Sequence, residues 1–319
     1  MAIHLTRQGC RPRLWARDPA LVEEIRRLRE NRRYLPGIEI PDGALVTASA
    51  DEALREAGIV IVAVPSHFVT GVLDEIGHGI PPEAIVVSAT KGLEPTRGRR
   101  MSVLLGEHLP GRPLAVVSGP SFAREVALGL PAALVVASGD ARLADTLQRA
   151  LAAPGFRLYT NRDVLGVEIA GALKNVMAIA TGLCDGLALG ENARAALITR
   201  GLAEIVRLGV ALGARAGTFY GLAGAGDLVL TCTGSLSRNR ALGREVARGR
   251  PLAEVEAATP MIAEGVRTVA SALELARNAG IGMPICREVG AVLFEGKPGA
   301  EALRSLLSRE PRPEEEEAR

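Results

Sequence analysis

Aromatic residues, histidine and uneven charge are scarce in this sequence. Aromatic side chains make up 3% of the 319 residues, and the net charge of +2 arises from scattered cations and anions. The sequence therefore has neither a base-stacking platform nor a basic stripe, and nucleic acid is not expected as a partner. The last of the four histidines is His108. A catalytic acid in the second half of the chain cannot be histidine.

Long apolar runs and paired cysteines are missing as well. The apolar stretches at 59–64 and 134–137 have the length of strands rather than of membrane spans, so membrane insertion is not expected. The sequence does not open on a charged leader followed by an apolar stretch. The spacing of the four cysteines is typical neither of a zinc site nor of a redox pair. They are Cys10, Cys184, Cys232 and Cys286. These features favour a reducing cytoplasm and give no indication of a metal site.

Lysine is rare among the cations. Only three of the 38 Lys and Arg residues are lysines, namely Lys91, Lys174 and Lys297. An ammonium group is compact and can lose a proton, which a guanidinium group in a protein cannot do. A lysine in such an arginine-rich chain therefore marks a candidate site for proton transfer, although random retention is the plain alternative for each one.

The order of predicted elements indicates two domains of different class. Short strand-like runs alternate with helical pieces at 13–16, 59–65, 84–89, 114–118, 133–137 and 156–159. This alternation predicts an α/β domain with a mostly parallel, doubly wound, Rossmann-like sheet. From Asp163 onward, long Ala- and Leu-rich segments predict an all-α domain. We expect a dinucleotide-binding domain, a helical substrate and catalytic domain, and a charged tail, at 1–162, 163–310 and 311–319.

The beginning of the chain departs from this pattern. Residues 2–8 read as the end of a helix with Gly9 as its stop, and no strand precedes that helix. In a dinucleotide-binding sheet, the first strand and a G-x-G-x-x-G turn come directly before the first helix. We therefore expect upstream codons to encode about 15 further residues that form this strand and turn. The first domain is then incomplete in this sequence. Gly221, Gly224 and Gly226 are no substitute, because no strand is predicted before them.

Lys174 lies on a predicted helix that is otherwise apolar. Glu168 is the only other charged residue between Val164 and Leu183. Burial would lower the pKa of the lysine, as a proton donor working near neutral pH requires. A structural lysine whose ammonium group reaches solvent is the alternative.

Polar residues in two later segments are candidates for substrate contact. Asp227 follows a glycine-rich turn and could orient Lys174 or bind a hydroxyl group, although it could also be a helix N-cap. Ser237, Arg238 and Asn239 form a compact set of hydrogen-bond donors that suits a phosphate monoester. An ordinary solvated turn is the alternative for these three.

Three further candidates follow predicted strands. Lys91 comes after the strand at 84–89, and Gly119 and Ser121 come after the strand at 114–118. Ligands of such sheets bind at the carboxyl ends of the strands, so we expect these residues near substrate and nicotinamide. A tight Gly-Pro turn without a ligand is the alternative for Gly119 and Ser121.

Ten motifs in register give the chain a family resemblance over about Met1 to Leu307. They are RLWARD, RYLPG, AVPS, TKGLE, SGPSF, GALKN, GENARAALITRG, GAGD, LSRNR and AEGV, which begin at residues 13, 33, 63, 90, 118, 171, 190, 224, 236 and 263. Together they resemble the bacterial-type glycerol-3-phosphate dehydrogenases. The resemblance implies reduction of dihydroxyacetone phosphate to sn-glycerol 3-phosphate by NADH or NADPH, for phospholipid synthesis.

The resemblance also implies roles for individual residues. It makes Lys174 the catalytic residue. Substrate contacts are implied for Lys91, Gly119, Ser121, Lys174, Asp227, Ser237, Arg238 and Asn239. Cofactor contacts are implied for Ala123, Arg238, Ile262 and Glu264. Arg17, Tyr34 and Lys91 are further cofactor candidates because of their positions in the chain. A surface carboxylate is the plain interpretation of Glu264, and a packing side chain that of Tyr34.

Arg17 bears on the choice of cofactor. It precedes Asp18 at the end of the strand predicted at 13–16, where an arginine accepts the 2′-phosphate of NADP and an acidic residue binds the ribose of NAD. We expect NADP to be accepted, with NAD left open. A solvent-facing Arg17 is the alternative.

Two competing functions remain at the level of sequence. A related two-domain reductase of the β-hydroxyacid or ketopantoate type would share the fold but would bind a carboxylate instead of a phosphate. A catalytically silent homologue is the other alternative, against which the presence of Lys174, Asp227 and Arg238 argues. In each case the expected partner is a small molecule, and a homodimer is left open.

Overall fold

A computed structural model describes residues 1–310 of the chain, and the tail expected at 311–319 lies outside them. The described residues form two compact units. The first consists of Met1–Val64, Phe68–Ala89 and Ser102–Arg162, and the second of Pro65–His67, Thr90–Met101 and the residues from Asp163 onward. Two short segments from the first half of the chain thus belong to the helical unit.

The first unit contains two sheets built from parallel strands with one exception. Its strands are β1 (Arg13–Trp15), β2 (Leu45–Thr47), β3 (Ile59–Val62), β4 (Ile85–Ser88), β5 (Leu114–Ser118), β6 (Ala132–Ala137) and β7 (Phe156–Asn161). Strands β1 and β2 pair with each other, and the other five form a sheet in the order β3-β4-β5-β6-β7. Only β5 and β6 pair antiparallel among these strands. The predicted α/β class with a mostly parallel sheet is confirmed.

Helices accompany these strands through the first half of the chain. They are α1 (Ala2–Arg7), α2 (Pro19–Leu28), α3 (Ala50–Leu54), α4 (Val69–Ile76), α5 (Met101–His108), α6 (Ala123–Leu128) and α7 (Ala141–Leu151). The side chains of Asp18, Ser49 and Asp140 accept backbone N–H groups at the starts of α2, α3 and α7. The main core of this unit consists mostly of Val, Leu and Ala side chains from the sheet and from α7. Continuous apolar strands of this kind are typical of a parallel sheet covered on both faces.

The sequence did not predict β2, and it placed the end of β3 too late. Strand β2 has three residues, too few for a periodic pattern, and it pairs with β1. Strand β3 ends at Val62, whereas the predicted strand continued to Pro65, which has no backbone N–H to donate to a ladder. The predicted helix before Gly9 is confirmed, and Gly9 ends it with a φ of +80°.

The second unit is helical throughout its described part after Asp163, as predicted. Its helices are α8 (Val164–Gly186), α9 (Gly190–Ala211), α10 (Ala216–Phe219), α11 (Asp227–Thr233), α12 (Arg238–Ala247), α13 (Leu252–Ala257), α14 (Glu264–Asn278), α15 (Pro284–Phe294) and α16 (Gly299–Leu307). A single π-helical turn, Leu222–Gly226, precedes α11. Helix α8 is long and apolar enough to cross a membrane, but 89% of its most apolar window is buried inside the protein. It is the central core helix of this unit.

Helix α12 packs against α8 at very short range. A Cβ atom at Gly182 of α8 would overlap the carbonyl oxygen of Arg240, and one at Gly243 of α12 would overlap that of Ile179. Glycine at both positions lets the two backbones touch. This contact brings α12 against the last turns of α8, at Ile179 and Gly182.

Candidate active site

Lys174 is buried in the middle of α8. Only 6% of the residue is exposed, and the helix around it is buried from Gly166 to Cys184. Asp163 caps the helix by accepting the Gly166 N–H at 2.9 Å. The apolar sequence that builds this core helix is what removes the Lys174 ammonium group from water.

Two side chains on α11 bind the Lys174 ammonium group. Lys174 Nζ donates to Asp227 Oδ1 at 2.5 Å and to Thr231 Oγ1 at 2.8 Å. Asp227 and Thr231 are four residues apart and therefore share one face of the helix. The Thr231 hydroxyl in turn donates to the Asp227 carbonyl oxygen at 2.6 Å. The π-helical turn before α11 needs glycine, because a Cβ atom at Gly224 would overlap the Phe219 carbonyl.

Lys91 approaches the same carboxylate from another segment. Its Nζ donates to Asp227 Oδ2 at 2.7 Å, and 20% of its side chain is exposed. The segment that carries Lys91 belongs to the helical unit because Leu93 is fully buried in that core. An ion pair of 2.7 Å between Arg100 and Glu168 of α8 also ties it there. Asp227 thus holds both lysines, one on each carboxylate oxygen.

The surroundings of Lys174 change its proton affinity. Burial, followed by the positive charge of Lys91, lowers the pKa of Lys174 to about 7, although Asp227 acts in the opposite direction. Burial alone would raise the pKa of Asp227, but the two lysines outweigh it and hold that pKa below its ordinary value. The cluster therefore contains an ionised carboxylate and a lysine that can exchange its proton near neutral pH.

The start of α12 presents a different set of polar groups. Ser237 is the N-cap of the helix, and its Oγ accepts the Arg240 N–H at 3.3 Å. Arg238, the first residue of the helix, is exposed. The buried Asn239 amide donates to Asn175 Oδ1 at 3.0 Å and accepts the Gly265 N–H at 2.9 Å. Asn239 therefore links α12 to α8 and α14.

Glu264, the first residue of α14, is fixed by Ser66. Its two carboxylate oxygens accept the Ser66 N–H at 3.0 Å and the Ser66 hydroxyl at 2.6 Å. A Cβ atom at Gly92 would lie 2.8 Å from Ser66 Oγ and 2.9 Å from a Glu264 oxygen, so Glu264 also lies beside the Lys91 segment. Ile262 is partly buried in the loop before α14.

Arg17 and Tyr34 are exposed residues of the first unit. The Arg17 guanidinium lies 5.7 Å from the centre of the Phe68 ring, and Arg33 lies 5.3 Å from that of Tyr34. The neighbouring Asp18 is engaged elsewhere, since it caps α2 and pairs with Arg33 at 3.6 Å. Arg17 is thus the more available of the two charged residues after β1.

Gly119, Ser121 and Ala123 follow β5 at the carboxyl edge of the sheet. Gly119 has a φ of +123° and packs so closely on β6 that a Cβ atom would lie 3.1 Å from Leu134 Cα. Ser121 Oγ donates to the Gly119 carbonyl at 3.0 Å, and Ala123 begins α6. At the same edge, the hydroxyls of Ser88 and Ser118 are buried and have no hydrogen-bond partner among the described residues. Buried hydroxyl groups of this kind are suited to hydrogen-bond a polar ligand, such as a dinucleotide, at this edge of the sheet.

The structure joins some of the candidate residues and not others. Lys91, Lys174 and Asp227 form one hydrogen-bonded cluster, and Glu264 lies beside the Lys91 segment. Ser237, Arg238 and Asn239 share one helix start. The candidates of the first unit lie after its strands, except Tyr34, which is in the loop after α2.

Three residues of the site were missed at the level of sequence. Thr231 contacts Lys174, Asn175 contacts Asn239, and Ser66 contacts Glu264. Weak signals existed, since Thr231 follows Asp227 by one helical turn and Asn175 adjoins Lys174. Ser66 lies in the AVPS motif, but nothing local indicated a partner 198 residues away.

Family models match both halves of the chain. The model described as NAD-dependent glycerol-3-phosphate dehydrogenase N-terminus matches residues 1–144, and the C-terminus model matches residues 163–304. A glycerol-3-phosphate dehydrogenase (NAD(P)+) of Geobacter sulfurreducens is 48% identical over 96% of this chain and 92% of its own length. The enzyme of the same name from Moorella thermoacetica is 47% identical over 100% of this chain and 94% of its own length.

Solved structures agree with these matches. The crystal structure of glycerol-3-phosphate dehydrogenase from Coxiella burnetii has a TM-score of 0.93 and 38% identity, and the match covers 97% of this chain and 94% of that one. A ketopantoate reductase from Ralstonia eutropha has a TM-score of 0.58 with 15% identity, covering 95% of each chain. That second likeness concerns the fold alone.

Proposed function

Since this chain belongs to the family of NAD(P)-dependent glycerol-3-phosphate dehydrogenases, we propose that Lys174 is the proton donor of its reaction. The enzyme is an oxidoreductase that interconverts dihydroxyacetone phosphate and sn-glycerol 3-phosphate with NAD or NADP as cofactor. Its product is the backbone of glycerophospholipids. The observation that supports Lys174 most strongly is its burial against Asp227, with a pKa of about 7.

Proton transfer at the substrate carbonyl is the step assigned to the Lys174 cluster. The nicotinamide, when bound, supplies a hydride to the carbonyl carbon. The Lys174 ammonium group donates a hydrogen bond to the carbonyl oxygen and transfers its proton as negative charge develops there. In the reverse direction, the neutral amine accepts the proton of the alcohol. Asp227 orients the ammonium group, and the positive charge of Lys91 keeps its pKa low.

The start of α12 suits the substrate phosphate. Arg238 is exposed there and can form paired hydrogen bonds to phosphate oxygens. The first N–H groups of a ten-residue helix add a favourable dipole. Ser237 and Asn239 hold this helix start in place and add polar contacts. Lys91, Gly119 and Ser121 complete the proposed substrate contacts.

NADP is proposed as an accepted cofactor. Arg17 is exposed after β1, whereas Asp18 caps α2 and pairs with Arg33. A cation at this position favours a 2′-phosphate. The further cofactor contacts proposed are Tyr34, Lys91, Ala123, Arg238, Ile262 and Glu264.

A substrate comparison tests the proposed function. The purified protein should oxidise NADPH with dihydroxyacetone phosphate, and about a hundredfold less efficiently with unphosphorylated dihydroxyacetone, since the phosphate contacts are charge-assisted. Ketopantoate and other 2-oxo acids should not be reduced. A preference for a 2-oxo acid would assign the chain to the competing class of reductases, and no turnover of any ketone would favour a catalytically silent homologue.

A cytoplasmic homodimer is proposed as the working form. The four cysteines are unpaired, which suits a reducing compartment. Phe294 and Leu307 expose 53% and 74% of their surface in the helical unit, as side chains at subunit contacts do before assembly. Sedimentation at several protein concentrations would measure the mass of the particle, and a monomer throughout would contradict the dimer.

A further inference from the structure

Arg240, in the first turns of α12, connects the ends of three helices. Its Nε donates to Asp185 Oδ2 near the end of α8 at 2.6 Å. Its Nη1 donates to the carbonyl oxygens of Thr233 at 2.8 Å and Gly234 at 3.4 Å, where α11 ends. One guanidinium group therefore binds α8 and α11 while its own backbone belongs to α12.

Asp185 forms ion pairs with two arginines. Its other oxygen, Oδ1, accepts from Arg194 of α9 at 2.8 Å, and Arg194 also pairs with Glu191. The side chains of Asp185, Arg194 and Arg240 are 13%, 18% and 16% exposed, so the ion pairs are shielded from solvent. The ion pairs of Arg194 involve no residue of α11 or α12. A substitution of Arg194 is therefore a control for the role of Arg240.

The loop between α11 and α12, residues 234–237, separates the two parts of the proposed active site. Asp227 and Thr231 lie on α11 before the loop, Ser237 is its last residue, and Arg238 follows it. The backbone of Arg240 touches Gly182 of α8, and its N–H donates to the Ser237 hydroxyl. Beside the Asn239–Asn175 bond, the contacts of Arg240 therefore help to set the position of the proposed phosphate-binding residues relative to the Lys174 cluster.

We propose that Arg240 and Asp185 are positioning residues that hold the start of α12 at the distance required for dihydroxyacetone phosphate. They act through Arg238 and Ser237. The inference rests on the proposed role of Arg238 in binding the phosphate. Without the Arg240 guanidinium, the carbonyls of Thr233 and Gly234 lose a side-chain donor, and the start of α12 loses its side-chain tie to the end of α11.

Steady-state kinetics with two ketones test this inference. Arg240→Ala should raise the KM for dihydroxyacetone phosphate about tenfold or more, the effect of one lost charge-assisted contact, with kcat within about threefold. Kinetics with unphosphorylated dihydroxyacetone should change little, because that substrate does not use Arg238. Asp185→Asn should have the same effect to a smaller degree, and the double variant should be no worse than Arg240→Ala.

Three further variants separate the possible explanations. Arg194→Ala should leave the KM for dihydroxyacetone phosphate near wild type, and Arg240→Lys should recover part of the loss by keeping the Asp185 pair. Equal losses on both ketones, or an Arg194→Ala effect as large as that of Arg240→Ala, would overturn the positioning role. Arg238→Ala serves as the reference. If it leaves the phosphate preference intact, the proposed phosphate-binding role of Arg238 fails, whereas a loss in Arg238→Ala without one in Arg240→Ala or Asp185→Asn refutes this inference alone.

Discussion

At the scale of single residues, the site depends on one carboxylate between two lysines. Asp227 is 1% exposed and bonds to Lys91 on one oxygen and to Lys174 on the other. The two lysines differ in burial, with side-chain exposures of 20% and 8%. The pKa falls to about 7 for the more buried Lys174. Its deeper burial is the reason why Lys174, and not Lys91, is the proposed proton donor.

The pH dependence of ketone reduction follows from this pKa. Lys174 carries its transferable proton below a pKa of about 7 and loses it above. The kcat/KM for reduction should therefore fall as pH rises through about 7, and oxidation of glycerol 3-phosphate, which needs the neutral amine, should rise over the same range. Lys91→Gln removes a like charge, so it should raise the pKa of Lys174 and move the pH dependence of both reactions to higher pH. If kcat/KM falls with rising pH for both reactions, or if neither pH profile moves in Lys91→Gln, this assignment is contradicted.

Sequence reasoning located Lys174 but not its whole environment. The lysine stood out because its helix is apolar and because lysine is rare in this chain. Thr231 and Asn175 acquire their roles through partners 57 and 64 residues away, and a single sequence contains no signal for such contacts. Local chemistry therefore identified Lys174 as a candidate, and tertiary packing supplied the residues that bind its ammonium group.

At the scale of elements, glycines set the distance between α8 and α12. Gly182 and Gly243 face the backbone of the opposite helix without a side chain between them. A longer residue at either position would push apart the helices that carry Lys174 and Arg238. The packing of this pair is therefore part of the geometry of the site.

Substitution of Gly182 tests this packing. The added methyl of Gly182→Ala would overlap the Arg240 carbonyl. The free energy of unfolding should fall by about 1–3 kcal/mol, as for other overpacked cores, and the KM for dihydroxyacetone phosphate should rise. Chemical denaturation and steady-state kinetics would measure the two effects. In the control Gly217→Ala, the new methyl meets no atom within 4 Å, so stability should hold or increase. Equal stability of both variants would show that the helices can move apart freely.

Some elements could not be predicted from their own residues. Strand β2 has three residues, and its pairing with β1 defines it more than its composition does. The segment Thr90–Met101 follows a strand of the sheet, yet its Leu93 is buried in the helical core. Long apolar helices such as α8, by contrast, were evident because their pattern extends over many turns.

At the scale of the whole molecule, the chain combines an α/β unit with a helical unit that contains the cluster of Lys91, Lys174 and Asp227. Relatives that are 47% and 48% identical over nearly the whole chain establish the family. A ketopantoate reductase with 15% identity has a related fold, so the fold by itself does not select the substrate. The substrate preference must come from particular side chains, and Arg238 is the one proposed to bind the phosphate.

The most direct test of this account is the turnover of Lys174→Arg with dihydroxyacetone phosphate and NADPH. Arginine keeps the positive charge beside Asp227 but does not release a proton at working pH. We expect kcat to fall about a hundredfold or more, with unchanged circular dichroism. Lys297→Arg is the matched control, because Lys297 contacts Glu288 and Ser305 at 2.6 and 2.8 Å, away from the cluster, and it should keep wild-type turnover. Near-wild-type turnover in Lys174→Arg would mean that the site needs only a cation, and would contradict the assignment of Lys174 as the acid.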